Sequence, residues 1–90
     1  MTEEVYRYLT DKMDKRCMGF VDRLVRAGTL YEIEELAKRC FNFLVEVYKE
    51  IDYREKKKQL TPDEATSLKE YADGHWRLFS NAFVSRAIEI

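Results

Sequence analysis

Turn-forming residues are scarce in this chain, with one proline and three glycines in 90 residues. A sandwich or barrel of short strands needs frequent turns, so the shortage argues against an all-β fold and for helices. Histidine and tryptophan occur once each and cysteine twice. One histidine and two cysteines fall short of the four ligands that a structural zinc site takes, and no C-x-x-C spacing occurs, so no metal is expected. Glycine-rich phosphate loops and nucleophile motifs are missing as well, so the chain reads as a non-enzyme with no cofactor. Long apolar runs are lacking. The longest uncharged stretches, CFNFLV and LFSNAFVS, are far below the roughly 20 apolar residues of a membrane span. The opening MTEEVYRYL is acidic and has no apolar core of a secretory signal. Two cysteines without such a signal are expected to remain free thiols in a reducing, cytoplasmic setting. Neither sign of charge dominates: 16 basic and 17 acidic side chains leave a net charge of −1. That removes a global electrostatic argument for nucleic acid and leaves only local segregation of charge to consider.

What is present is helical. Hydrophobic residues make up 46% of the chain and aromatics 13%, too many for a disordered polymer, and the length suits one helical domain over residues 1–90. Thr2 is placed to cap a first helix, with Glu3 and Glu4 in its first turn. Gly28 is placed to end it in the position after the last helical residue. TLYE at 29–32 and TPDE at 61–64 both read as capping boxes, the second with Pro62 at the first helical position, where its missing N–H costs nothing. The punctuation predicts helices over about 3–27, 30–57 and 62–88, an elongated up-down-up antiparallel three-helix bundle. Gly74 is costly inside a helix, so helix 3 is expected either to run through it or to break there.

Projection at roughly 100° per residue gives each helix an apolar stripe. Helix 1 presents Tyr6, Leu9, Met13, Cys17, Phe20, Val21, Leu24 and Ala27. Helix 2 presents Leu30, Ile33, Leu36, Ala37, Cys40, Leu44, Val47, Tyr48 and Ile51. Helix 3 presents Ala65, Leu68, Tyr71, Ala72, His75, Leu78, Phe79, Ala82 and Phe83. In a hairpin turning at Gly28 and Thr29, Cys17 and Cys40 fall at one height and are expected to be neighbours. His75 and Trp76 read as packing, with His75 hydrogen-bonded to a tyrosine or a carbonyl at the core edge.

Two features point outward. Lys12, Lys15, Arg16, Arg23 and Arg26 share one arc of helix 1 with Gly19 at its centre, a basic stripe suited to a phosphate backbone or an acidic protein surface. The plain alternative for that stripe is a solvated face with pairs such as Asp11–Lys15 and Asp22–Arg26. Meanwhile Phe41, Phe43 and Val45 on helix 2, and Val84 and Ile88 on helix 3, project beyond the core stripes. Clustered exposed apolar groups commonly mark an interface, and a two-fold homodimer is the commonest form it takes. Phe41, Val45, Val84 and Ile88 are therefore the expected dimer interface. If helix 3 broke at Gly74, its second half would instead cover Phe41 and Val45 within one chain. The leading expectation is stoichiometric protein–protein binding by a homodimer with an unidentified protein partner. Such a chain would be a regulator, adaptor or inhibitor in the style of phage accessory proteins. Nucleic-acid binding through the basic stripe is the alternative.

Overall fold

A computed structural model describes residues 2–90. It contains α1 (Thr2–Arg26), α2 (Leu30–Lys56) and α3 (Pro62–Glu89), and no strand among the described residues. Each helix packs on both others, in a bundle of 46 × 16 × 14 Å. Cross-helix contacts fix the directions. Between α1 and α2, Lys12 meets Glu50 and Phe20 meets Phe43, so partner numbers fall as others rise, which is antiparallel. Between α1 and α3, Tyr6 meets Ser67, Asp14 meets His75 and Ala27 meets Arg86, a nearly constant offset that is parallel. The topology is up-down-up.

The caps explain most of the boundaries. Thr29 is extended, and its hydroxyl oxygen accepts the Glu32 backbone N–H at 3.1 Å. Thr61 completes a full capping box: its Oγ1 accepts the Glu64 N–H at 3.1 Å, while Glu64 Oε1 accepts the Thr61 N–H at 2.9 Å. One expected stop works differently. No glycine takes a left-handed backbone, so Gly28 does not end α1 in that way. The end of α1 is held by Arg86, whose Nε and Nη2 donate to the Ala27 carbonyl at 3.1 and 2.6 Å. The left-handed residue is Lys58, with φ of 61° in the turn after α2. There the Lys58 and Gln59 N–H groups donate to the carbonyls of Glu55 and Arg54, and Leu60 turns inward to plug that end of the core.

Helix α3 is continuous through Gly74, which has nothing within 4 Å of the place a Cβ would occupy. The break that would have folded the last turns back over Phe41 does not occur. A core of Leu9, Met13, Cys17, Phe20, Leu24, Ile33, Cys40, Leu44, Val47, Ile51, Leu68 and Phe79 runs the length of the bundle. Three stripe positions are exposed instead of buried. Leu78 is 64% exposed, because consecutive helical residues lie 100° apart and Phe79 takes the inward direction. Leu30 is exposed at the first position of α2, beyond the last turn of α1. Tyr71 lies at the surface with its hydroxyl turned to α1.

Candidate functional site

Three seams separate the helices, and each has its own chemistry. The α2–α3 seam is apolar and aromatic. Phe41 and Trp76 meet edge to face with ring centroids 5.6 Å apart, and Trp76 stacks on the buried Phe79 at 5.9 Å. Leu44, Val45, Tyr48 and Ala72 continue this wall around an open groove of about 340 Å³, with Lys49, Asp52 and Asp73 at its rim. Tyr48 donates to the Asp73 carboxylate and Lys69 pairs with Asp52 at 2.6 Å, so α2 and α3 are clasped across the groove's end. Of the residues expected at an interface, Phe41 is 53%, Val84 56% and Ile88 80% exposed, and Val45 is half-buried in the groove wall. Val84 and Ile88 follow Trp76 by about two and three turns of α3 and are rotated from it by about 80° and 120° towards solvent, so that Ile88 stands nearly opposite the core. Phe43, grouped with them in sequence, faces the opposite seam and packs on Phe20.

The α1–α2 seam is charged. Lys12 donates to Glu50 at 3.1 Å, and Arg54 holds the other Glu50 oxygen at 3.0 Å. Burial opposes ionisation of Glu50, but these two hydrogen bonds outweigh it and hold the carboxyl below its ordinary range. Arg16 lies over the rings of Phe43 and Phe20, 5.0 and 5.6 Å from their centroids. Two members of the basic stripe are thus engaged within the bundle. Lys15, Arg23 and Arg26 are exposed and form no ion pair among the described residues. The buried thiols of Cys17 and Cys40 are free and are neighbours across α1 and α2, at the height the hairpin count requires. The nearness of Cys17, and then burial, push the Cys40 thiol far up.

No protein-family model, curated protein or solved structure matches this chain. What the chain can do rests on its own geometry.

The α1–α3 seam holds the histidine, and it corrects the expectation for it. His75 Nε2 donates to Asp14 Oδ1 at 2.8 Å, and Tyr71 donates to the same oxygen with its ring edge-on to the imidazole. The partner is a carboxylate, not a tyrosine or a backbone carbonyl, so His75 is more than packing. With its side chain 14% exposed, it forms a polar tie between helices. Trp76 is half-buried, as packing requires. Sequence reasoning also missed Met18 and Val25, both exposed apolar groups on the α3-facing flank of α1, on the same side as exposed Leu78. The signal was available, since each follows a buried residue by one step. Among the described residues no three metal-capable side chains gather, and no helix is long and apolar enough to cross a membrane.

These ties set a pH window. The hydrogen bond from Tyr71, aided by His75 and opposed by partial burial, holds Asp14 below its ordinary 3.8. Tyr71 and Tyr48 are each pushed up to about 12, by hydrogen bonding to Asp14 and Asp73 respectively and then by burial. Lowered carboxyls stabilise the fold above their unfolded values of 3.8 and 4.5, and that help is lost as pH falls through the lower folded values. Raised tyrosines help fully below 10.0, and their contribution is lost as pH climbs through about 12. The urea midpoint should be flat between about pH 5 and 9 and drop on both sides. Tyr71→Phe should shrink both drops. A midpoint still rising above pH 10 would contradict the assignment.

Proposed function

We propose that this chain is a small non-enzymatic cytoplasmic protein that acts by stoichiometric protein–protein binding, as a homodimer joined through its α2–α3 face. Such a molecule works as a regulator, adaptor or inhibitor, by occupying a surface on its target. The observation that carries the reading is the Phe41–Trp76 pair, which sits in an open apolar groove instead of under a covering helix. Aromatic anchors in a groove with a polar rim are the usual centre of a protein interface.

A second copy suits the face in area and in charge. A side of 46 × 16 Å offers about 700 Å², close to the ~800 Å² per partner of a standard interface. The rim carries both signs, Lys49 beside Asp52 and Asp73, so a two-fold axis can set each sign against its opposite. Phe41, Val45, Val84 and Ile88 contribute about 1.5–3 kcal/mol each when fully buried, before ordering and association costs, enough for a dimer of micromolar affinity. Sedimentation equilibrium over a concentration series should give a dimer mass that dissociates on dilution. A monomer at every concentration up to high micromolar overturns self-association.

The second reading, nucleic-acid binding through the basic stripe, draws on the unpaired Lys15, Arg23 and Arg26. It is weakened by the engagement of Lys12 with Glu50 and of Arg16 with two rings. Steeply salt-dependent retention on DNA or RNA would favour it.

A further inference from the structure

At the end of the bundle where α1 passes into α2, an open groove of about 450 Å³ is lined by Arg23, Arg26 and Arg39, with Ala27, Leu36 and Tyr31 supplying apolar surface. We infer that this groove docks an acidic segment of a protein partner, with its carboxylates on the three arginines and an apolar side chain against Tyr31. The inference rests on the reading of the chain as a stoichiometric binding protein, but not on its self-association.

The arginines are set apart by gathering in one groove without partners of their own. Arg7, Arg54 and Arg86 pair with carboxylates, and Arg16 lies over two rings. Arg23, Arg26, Arg39 and Arg77 are exposed and have no ion pair or ring partner among the described residues, and the first three of them line this groove together. Three planar cations with open donors beside an apolar surface are suited to forked pairing with carboxylates. Only Arg23 and Arg26 belong to the stripe visible in sequence. Arg39 is brought to them by the antiparallel pairing of α1 with α2.

The groove's own carboxylates decide between an acidic protein and a nucleic acid. Glu32 and Glu35 stand in the α2 wall, and both are engaged, Glu32 by the Thr29 hydroxyl and Glu35 by Lys38 at 3.5 Å. A nucleic-acid strand carries a negative charge at every nucleotide, so the two carboxylates of the wall disfavour it. A polypeptide can set acidic side chains against the arginines and neutral or basic ones opposite the glutamates.

The test is selection of a displayed library of random linear peptides on the immobilised full chain at low salt. Winning peptides are then measured singly against variants. The expected winners are net acidic with an aromatic or aliphatic residue. Their affinity should fall about tenfold or more on the double reversal Arg23→Glu/Arg39→Glu, as for two lost charge pairs, and remain unchanged on Val45→Glu. Both arginines are exposed, and the milder Arg23→Ala/Arg39→Ala pair should give a smaller loss in the same direction should the reversal disturb folding. Failure to select any peptide overturns the proposal, as do neutral or basic winners, or binding indifferent to both double variants. So does a labelled single-stranded oligonucleotide held by these arginines more tightly than the best peptide. Winners lost on Val45→Glu instead would move the docking site to the α2–α3 face and leave the binding reading intact. The sedimentation result stands independently of all these outcomes.

Discussion

Phe79→Ala is expected to destabilise the protein by about 3–5 kcal/mol, a large part of what a small domain has, and to lower its melting temperature by roughly 15–30 °C. Phe79 is 1% exposed, stacks on Trp76 and packs against Phe83. Truncation would empty the middle of α3's inner face, and the aromatic groups around it are too rigid to collapse into the space. The adjacent Leu78→Ala supplies the control. It removes a side chain 64% exposed, and its effect should stay within about 0.5 kcal/mol. Thermal and urea unfolding of the two variants measures the contrast. Equal losses at 78 and 79 would mean that α3 is rotated from the orientation described.

Val45→Glu is the second large effect, read in association instead of stability. Val45 forms part of the wall beside Phe41 and Trp76 but does not belong to the fully buried core. In a monomer the new carboxylate can reach water. In a dimer closed over this face it would be buried without a partner on both copies, at a cost of several kcal/mol. The dimer dissociation constant should rise at least about a hundredfold while the helical far-UV spectrum is kept. Phe41→Ala should weaken association less, by loss of contact alone. A dissociation constant indifferent to both substitutions would remove this face as the interface.

Much of the architecture was legible because it is local. Thr61, Pro62 and Glu64 write a helix start within four consecutive positions, and the structure forms both hydrogen bonds of that box. The pairing of Cys17 with Cys40 followed from counting outward from a short turn, since antiparallel neighbours have no freedom to slide. The α1–α3 seam was not legible. These helices are parallel and not directly joined, so no turn fixes their offset. The side-chain angle of Asp14 on its own helix does not say that it faces His75. Arg86 shows the same limit. Nothing local to Gly28 announces that a side chain 59 positions away from Ala27 will cap the end of α1. The groove arginines were half visible for a related reason: Arg23 and Arg26 share a helix face, whereas Arg39 joins them only through packing.

The parallel seam also has a kinetic meaning. Its ties, Tyr6 to Ser67, Tyr71 and His75 to Asp14, and Arg86 to Ala27, each close a loop of about sixty residues. The two hairpins, α1 with α2 and α2 with α3, each fold around a short turn and need far less loop-closure entropy. The α1–α3 seam is therefore expected to form late, once both hairpins have closed and brought its partners together.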